Sequence, residues 1–380
     1  MLTPRYLDGI ADDIENIYSQ LEQDILQDMA RRVSRLGKIT AATEWQAQML
    51  AELGAFNKKV KKLLKKYSKN IQEAAYSAYV DAVKKATETD NRIYSEALGR
   101  EVSENVEQRI RALIEKQLGN LERLTKTTAK TSERLFIKEA NRVYMQTQSG
   151  AFSYTQAIKT AVDDMAAQGV TSVQYENGKP VRRSIESAVR MNVITGINQT
   201  AATISLDNAR EVGSDLVEVS AHTGARPEHA AWQGKIYSLS GTSDKYPPFS
   251  ICGYGTATGI CGINCRHSFS PYFEDYGRKY SSKELKDYAG ETVTYNGRKM
   301  TEYEAEQTLR ATERTIRKYK RRAITQEAAG LDDTAARTYL GKWQARARDI
   351  VKQTGIKRDY ARERVGTPDE QPRAIRPKKK

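Results

Sequence analysis

The chain has 380 residues, of which 39% are hydrophobic and only nine are proline, a composition that excludes an intrinsically disordered protein. Its length exceeds what one hydrophobic core usually serves, so we expect two or three domains. Lys and Arg outnumber Asp and Glu by 62 to 48, and residues 278–380 alone contain 27 basic and 15 acidic side chains. This asymmetry predicts either contact with a polyanion such as nucleic acid or a set of solvated basic helices.

The sequence shows no targeting or membrane signal. The first residues lack a basic start followed by an apolar stretch, and no run approaches the roughly 18 apolar residues of a membrane span. Three cysteines without framework spacing fit a reducing compartment. We therefore expect a protein that is made and assembled in a cytoplasm and has no membrane partner.

Residues 1–150 have the apolar periodicity of long helices, which predicts a helical bundle or stalk. Thr3-Pro4 is a helix start, with Thr3 as N-cap and Pro4 in the first turn, and Gly37 is its predicted end. A second helix is predicted from Thr43 to about Gly54. Further helical patterns cover residues 58–69, 71–87, 93–118 and 121–147.

The segment Lys58–Lys69 is amphipathic, with seven lysines around the apolar positions Val60, Leu63, Leu64 and Tyr67. Such a segment could contact a membrane surface or DNA. We prefer an ordinary helix that packs its apolar face on a bundle, because that face is modest and largely aliphatic.

The pattern changes after residue 150. Asn177-Gly178 between two short β-prone runs predicts a hairpin, a helix is expected over Ile185–Glu211, and Leu216–Ser220 alternates like a strand. The helix has an unusually polar set that could pack against the segment after it or simply face solvent. Its members are Arg190, Asn192, Thr195, Asn198 and Gln199.

The C-terminal part has a second Asn-Gly turn at residues 296–297 and a capping box formed by Thr301 and Glu304. Helices are predicted over Glu302–Ala323 and Asp333–Thr354. We expect a mainly α protein with a small central α+β module with short hairpins. The predicted division is 1–150 helical, 151–280 central module, 281–365 hairpin and basic helices, and 366–380 a disordered basic tail.

All three histidines and all three cysteines lie between His222 and His267, so this is where we expect chemistry. Zn²⁺ takes about four nitrogen or sulfur ligands, and the glycines at 253, 255, 259 and 262 would let the loop bend to deliver them. The sequence does not establish any cofactor, and Zn²⁺ is the candidate that these residue types fit. The candidate ligands are His222, His229, Cys261, Cys265 and His267.

The spacing contains no paired C-x2-C, and we favour a second interpretation over zinc. The cysteines would pack as small hydrophobic side chains while the histidines bond to backbone carbonyls. Arg226-Pro227 then begins a short helix that ends before Gly234, and Trp232 fills the core of the module.

Catalytic interpretations are weaker. His222 and His229 could hold a hydrolytic metal with Glu228 or Asp244 as base, but the H-E-x-x-H signature is absent. Cys265 and His267 are two residues apart, a spacing that seldom orients a nucleophilic pair. Residues 253–259 lack the Lys-Ser/Thr ending of a phosphate loop, which excludes that interpretation.

Several blocks together resemble the signature of the second type of tailed-phage minor capsid protein, a family related to the MuF-like head-morphogenesis proteins. The central blocks are His222-Thr-Gly-Ala-Arg-Pro-Glu-His-Ala-Ala-Trp-Gln-Gly-Lys235, Gly253-Tyr-Gly255 and Cys261-Gly-Ile-Asn-Cys-Arg-His267. Residues 2–8, 190–200 and 295–305 extend the resemblance over most of the chain. Cys252 lies outside the family pattern, which makes a metal site built on it doubtful. The core of the motif also includes Arg226, Pro227, Trp232, Gly234, Asn264 and Arg266.

The resemblance implies a structural head protein with no established catalysis. It would be present in a few copies per particle, inside the capsid near the portal vertex. Its partners would be the portal protein, the major capsid or scaffolding protein, and packaged double-stranded DNA. The basic residues expected to contact DNA are Arg317, Lys318, Lys320, Arg321, Arg322, Lys378, Lys379 and Lys380.

Two other functions remain open at this point. One is a metal-dependent hydrolase or nuclease centred on His222, His229 and His267. The other is a plain nucleic-acid-binding protein, whose DNA binding would fall steeply with salt and weaken on removal of residues 366–380.

Overall fold

The computed structural model describes residues 1–36, 39, 41–102, 106–176, 179–367, 369 and 371–375. It is mainly α with a few short antiparallel hairpins, as predicted. The helices are α1 (Pro4–Gly9), α2 (Asp12–Leu36), α3 (Ala42–Leu98), α4 (Val106–Gln148), α5 (Tyr154–Gln168), α6 (Ile185–Val212), α7 (Pro227–Ala230), α8 (Ser282–Gly290), α9 (Glu302–Ala328) and α10 (Thr334–Thr354). The strands are β1 (Thr171–Glu176), β2 (Lys179–Ser184), β3 (Leu216–Val219), β4 (Ile236–Ser238), β5 (Phe269–Pro271), β6 (Thr292–Tyr295) and β7 (Arg298–Thr301).

Several predicted helix boundaries in the N-terminal part are wrong, including the breaks after residues 69 and 87, which lie inside α3. Gly54, the predicted end of the second helix, lies inside α3, and the predicted break near Leu118 lies inside α4. An isolated glycine costs a helix only about 1 kcal/mol, which the packing of a long helix easily offsets. The break falls instead after Leu98, where Gly99 has φ +64°. The first predicted helix is also divided, into α1 and α2, and its predicted end at Gly37 lies outside the described residues.

The helix starts predicted at Thr3-Pro4 and at Thr301 are confirmed. The Thr3 hydroxyl accepts a hydrogen bond from the Tyr6 amide at 3.2 Å, with Pro4 in the first turn. The capping box is also formed. The Thr301 hydroxyl accepts from the Glu304 amide at 3.2 Å, while the Glu304 carboxylate accepts from the Thr301 amide at 2.9 Å.

Both predicted hairpins are present. β1 pairs with β2 in the register Val173↔Arg182, although the predicted turn residues 177–178 lie outside the described part of the chain. β6 pairs with β7 through Asn296 and Gly297, which have φ of 50° and 77°, the left-handed values that a tight Asn-Gly turn requires.

A three-stranded sheet of order β4-β3-β5 forms the base of the His/Cys region. β3 is central and antiparallel to both neighbours, with Val217 opposite Tyr237 on one side and Val219 opposite Phe269 on the other. The apolar core against this sheet includes Phe249. Because β3 is buried almost throughout, its ends are rigid points from which loops can project.

The chain divides into two compact units, neither of which is a single segment. Unit 1 comprises Met1–Asp13, Gln72–Asn120 and Arg190–Gln307, and unit 2 comprises Ile14–Ile71, Leu121–Val189 and Thr308–Lys380. The predicted division at residues 150, 280 and 365 stays a prediction about chain segments. Among the described helices, none has both the length and the apolar character needed to cross a bilayer.

Candidate metal centre

The sheet of unit 1 brings His222 and His267 to one place. β3 ends at Val219 and β5 begins at Phe269, and because the two strands are antiparallel these ends are neighbours. The Ser220 amide continues the pairing by donating to the Ser268 carbonyl at 2.8 Å. His222 and His267 therefore leave the same edge, and their ring centroids are 4.6 Å apart.

His229 is positioned by α7, a single helical turn. Pro227 occupies its first turn, and the amides of His229 and Ala230 both donate to the Arg226 carbonyl at 2.9 Å. Trp232 stacks on the His229 imidazole with centroids 4.5 Å apart. It is partly buried and packs against the apolar core on the sheet, as predicted in part, while one ring face covers His229.

Cys265 is delivered by the glycine-rich loop, as the sequence indicated. A Cβ on Gly259 would lie 1.9 Å from the Gly253 carbonyl oxygen, and one on Gly262 would lie 2.6 Å from that of Ala257. Only glycine allows the backbone to fold on itself this closely. Cys261 and Asn264 have positive φ, 57° and 55°.

Polar residues of α6 and α7 hold this loop. The Asn198 amide donates to the His267 carbonyl at 2.9 Å, and the Thr195 hydroxyl accepts from the Asn264 amide at 3.2 Å. The Arg226 guanidinium donates to the Ile263 carbonyl. Of the two interpretations of the polar α6 residues, packing against the motif is therefore confirmed for Asn198 and Thr195.

Three ligand-type atoms meet at the centre. One atom each from His229, Cys265 and His267 lies within 4.8 Å of the other two, and all three residues are buried. The Cys265 Sγ is 3.6 Å from His229 Nδ1 and 3.6 Å from His267 Nδ1. Among the described residues, no carboxylate joins this group.

Hydrogen bonds fix which ring nitrogens carry protons. His229 Nε2 is 2.8 Å from the Thr258 carbonyl oxygen, which only accepts, so Nε2–H is the donor and Nδ1 keeps its lone pair. The His222 amide donates to Gln233 Oε1 at 2.7 Å, which identifies that atom as the oxygen. The same oxygen is 3.2 Å from His267 Nε2, so His267 also has a free Nδ1 lone pair.

Gln233 and Thr258 are the partners that the sequence did not single out. Gln233 is buried and connects two histidines. A glutamine in an otherwise apolar and glycine-rich stretch between histidine positions was the available signal. Thr258 acts through its backbone carbonyl, which no side-chain pattern could reveal.

Burial sets the protonation of the cluster. Desolvation lowers the pKa of His229 and of His222, and it lowers the pKa of His267 well below the ordinary histidine value. Desolvation also raises the pKa of the Cys265 thiol. Without a cation, the cluster is therefore a set of neutral imidazoles beside a neutral thiol.

The remaining predicted ligands lie beside this group. His222 Nδ1 donates to the Thr223 carbonyl at 2.6 Å, and its Nε2 is buried with no hydrogen-bond partner in the described part of the chain. Cys261 Sγ donates to the His267 carbonyl at 3.6 Å and belongs to the apolar core on the sheet. Cys252 lies in that core too, where burial raises its pKa to about 11.

The other motif residues stabilise the backbone that surrounds the histidines and Cys265. Gly234 has φ +59° and donates its amide to the Val219 carbonyl at 3.0 Å. Arg266 Nε donates to Asp8 Oδ1 at 2.7 Å within the same unit. Together with the Arg226 contact, these interactions position the ligand-type residues without contributing one.

The chain matches the family described as "Phage minor capsid protein 2" over residues 2–352, which is nearly its whole length. It belongs to this family. The match confirms the resemblance expected from the motif blocks.

Two relatives agree with that membership. The chain is 25% identical to a "Structural protein" of Lactococcus phage LL-H over 358 residues, which are 90% of this chain and 93% of the relative. It is 32% identical over 124 residues to a "Structural protein" of Lactococcus phage mv4, covering 32% of this chain and 93% of the relative. No solved structure matches.

In this family member the predicted DNA-contacting stretch of α9 is mostly internal. Arg317, Lys320 and Arg321 are buried in unit 2. Arg317 pairs with Glu186 at 2.6 Å, and Lys320 donates to Gln371 at 2.8 Å. A buried, partnered cation cannot reach a phosphate, so the structure does not offer these three for DNA contact.

Two residues of that stretch are more accessible. Arg322 is partly exposed but pairs with Asp163, whereas Lys318 is exposed. The basic tail residues Lys378, Lys379 and Lys380 lie outside the described part of the chain. For Lys318 and the tail, DNA contact stays a prediction.

Proposed function

We propose that this protein is a low-copy structural component of the phage head that sits on the capsid interior near the portal vertex and takes part in head assembly. The family match over residues 2–352 is the observation that carries the proposal. The two relatives described as structural proteins support it. The expected partners are the portal protein and the major capsid or scaffolding protein.

Mass spectrometry of purified virions tests this proposal, with copy number scaled to the major capsid protein. We expect a few to a few dozen copies per particle and chemical cross-links between this chain and the portal protein. Cross-links confined to capsid subunits far from the portal would contradict the portal position. Absence from both virions and procapsids would contradict the head role itself.

The same head position would bring the chain beside packaged DNA, and α3 offers a surface suited to it. All seven lysines of the segment 58–69 are exposed, while Val60, Leu63 and Tyr67 are buried. This confirms the amphipathic helix expected for the segment. A helix with lysines around its whole outer surface can neutralise several phosphates without reading sequence.

Salt-dependent binding to double-stranded DNA tests that surface. A Lys58→Gln, Lys62→Gln, Lys65→Gln variant should bind more weakly, and its log–log salt slope should fall by about 0.9 for each phosphate that the variant no longer neutralises. The matched control substitutes glutamine at the exposed Lys283, Lys286 and Lys299, which changes the net charge equally. Equal weakening in both variants would show that DNA affinity depends on the net charge of the protein and not on this surface of α3.

A metal-dependent hydrolase or nuclease remains the alternative, favoured by the His229, Cys265 and His267 group. The burial of all three and the lack of a neighbouring carboxylate among the described residues support a structural role instead. An activity screen with Zn²⁺, Mn²⁺ and Mg²⁺ separates the two. Turnover that His229→Ala abolishes would establish the alternative.

A further inference from the structure

We propose that unit 1 binds one structural Zn²⁺ ion through His229 Nδ1, Cys265 Sγ and His267 Nδ1, with His222 Nε2 as the fourth ligand. The inference does not depend on where in the virion the protein resides. It assigns atoms within the cluster, excludes Cys252 and Cys261 from it, and gives Gln233 and Thr258 the role of holding the ligands.

Distance is the first argument. Zinc binds thiolate sulfur at about 2.3 Å and imidazole nitrogen at about 2.0–2.1 Å, and a tetrahedral angle between them separates sulfur from nitrogen by about 3.6 Å. The two Cys265 Sγ to Nδ1 separations are both 3.6 Å. A neutral thiol has one proton and can donate to only one of these two acceptors, whereas a single cation between the three atoms would bind all of them.

The orientation of both rings is the second argument. Each histidine donates its Nε2–H to an oxygen outside the cluster, His229 to the Thr258 carbonyl and His267 to the Gln233 amide. Each therefore turns a Nδ1 lone pair toward the same sulfur. Metal-ligating histidines show this arrangement, in which the second nitrogen donates to a carbonyl or amide and fixes the tautomer.

Cys265 differs from Cys261 in what its sulfur contacts. Its Sγ is 3.6 Å from the Nδ1 atoms of both His229 and His267 and accepts a hydrogen bond from the His267 backbone amide at 3.3 Å. Both sulfurs lie near the His267 carbonyl, but Cys261 packs in the apolar core on the sheet and is not a member of the His229, Cys265 and His267 group. Cys265 is thus the sulfur suited to a metal.

His222 completes the set because its Nε2 lacks a partner. Its Nδ1–H is used by the Thr223 carbonyl, so Nε2 presents a lone pair, and that atom is buried. A buried acceptor left without a donor destabilises a fold unless something binds it. Its ring centroid is 4.6 Å from that of His267, but it lies outside the group of three close ligand atoms, so its side chain would have to move toward that group to bind the cation.

One sulfur and three imidazole nitrogens in a buried, closed site favour Zn²⁺ among the common divalent ions. Oxygen ligands would be required for Mg²⁺ or Ca²⁺, and the group contains none. Four protein ligands leave no open position for a substrate. The role is therefore to hold the ends of β3 and β5, α7 and the glycine-rich loop together.

Metal content of the full-length protein is the first test. After incubation with Zn²⁺ and gel filtration, the wild-type chain should retain about one zinc per chain by inductively coupled plasma mass spectrometry. Cys252→Ala and Cys261→Ala should retain it as well, whereas Cys265→Ala should not. A metal-free wild-type protein, or loss of zinc in both control variants but not in Cys265→Ala, would overturn the assignment.

Co²⁺ substitution tests the ligand set on the wild-type protein, so it does not depend on a variant that might fail to fold. The Co²⁺ form should show tetrahedral d–d bands and the near-ultraviolet thiolate-to-cobalt charge-transfer band. A spectrum of octahedral Co²⁺ without that band would contradict a Cys-containing tetrahedral site. Retention of the charge-transfer band in both Cys252→Ala and Cys261→Ala identifies Cys265 as its source.

Two further variants test the fourth ligand and the supporting contacts. His222→Gln should keep the charge-transfer band but change the d–d bands and weaken Zn²⁺ binding. An unchanged spectrum and affinity would remove His222 from the ligand set. Gln233→Leu removes the acceptor of His267 Nε2–H and should weaken Zn²⁺ binding about 10–100-fold while leaving the one-sulfur spectrum intact.

Discussion

In unit 1 the buried polar side chains around His229, Cys265 and His267 are uncharged, because desolvation lowers the pKa of the histidines and raises that of the thiol. In unit 2 several buried basic side chains instead lie beside acidic ones. Arg321 lies 3.6 Å from Glu22 and donates to the Ala166 carbonyl at 3.0 Å, and Arg317 pairs with Glu186. The two units therefore differ in how their buried polar groups are stabilised: the groups of the unit 1 cluster are neutral, whereas the arginines of unit 2 have acidic partners.

The difference concerns what stabilises each arrangement. In the two pairs of unit 2, each buried arginine has an acidic partner that compensates its charge. The neutral cluster of unit 1 leaves His222 Nε2 without a partner and two Nδ1 lone pairs turned toward one sulfur. The buried polarity of unit 1 is therefore the part of the molecule for which we propose a bound cation.

The largest expected effect is the loss of one partner of the buried pair in unit 2. Arg321→Met leaves the Glu22 carboxylate buried without its cation and should lower the free energy of unfolding by about 3–5 kcal/mol. Urea unfolding followed by circular dichroism measures it. A loss below about 1 kcal/mol would show that the pair is solvated and that the contrast between the two interiors is false.

Adding Glu22→Gln to Arg321→Met tests whether the loss of stability comes from the uncompensated charge of Glu22. The amide oxygen can still accept from the Val170 amide, which Glu22 does at 2.9 Å, but the uncompensated charge is gone. We expect the double variant to be more stable than Arg321→Met alone. Additive losses would contradict the charge argument.

Removing metal should have an effect of similar size on unit 1. With free Zn²⁺ at about 1,000 times its Kd, binding stabilises the folded chain by about 4 kcal/mol, and an excess of chelator removes that contribution. Calorimetric unfolding with and without chelator measures the difference. Cys252→Ala is the matched control and should respond to chelator like the wild type, whereas His229→Ala should not respond.

A smaller effect is expected from Glu313, a buried carboxyl in unit 2 that burial drives toward its neutral form. Desolvation raises its pKa to about 6 from the ordinary glutamate value of 4.5. Because the folded state binds the proton more tightly, Glu313 favours folding below about pH 4.5, and this contribution is lost as the pH rises through about 6.

Glu313→Gln removes that titration. Relative to the wild type, the variant should gain up to about 2 kcal/mol of stability between pH 4.5 and pH 7.5, at about 1.4 kcal/mol per pKa unit. Urea unfolding at both pH values measures the change. A difference that is independent of pH would show that Glu313 stays ionised beside Arg362 and Arg317, and would make the interior of unit 2 fully charged.

Much of the local structure could be predicted because it depends on local chemistry. The Thr3 and Thr301 caps, the Asn296-Gly297 turn and the short helix at Pro227 each rest on a few neighbouring residues. The helix ends near Gly54 and Leu118 could not be predicted, because tertiary packing along α3 and α4 outweighs a single weak helix former.

In the candidate site, too, the features set by nearby residues could be predicted, whereas those set by tertiary contacts could not. The sequence indicates which residue types cluster, but the choice of Cys265 over Cys261 depends on which sulfur faces the histidines and which enters the apolar core. The tautomers depend on Gln233 and on the Thr258 carbonyl, contacts made 34 and 29 residues away. The basic residues of α9 were predicted to be exposed because their acidic partners are distant in the sequence. These partners are Glu22, Asp163 and Glu186.

The smallest expected effect concerns Lys318, which is exposed in the same run as Arg321. Lys318→Gln should change the free energy of unfolding by no more than about 0.5 kcal/mol, since it removes a solvated charge and no buried contact. Urea unfolding beside Arg321→Met makes the comparison within one helix. If Lys318→Gln were as destabilising as Arg321→Met, burial would not be what distinguishes them. If stability is unchanged but DNA binding weakens, Lys318 contacts DNA phosphates. The buried arginines of the same helix would then act in stabilising the fold.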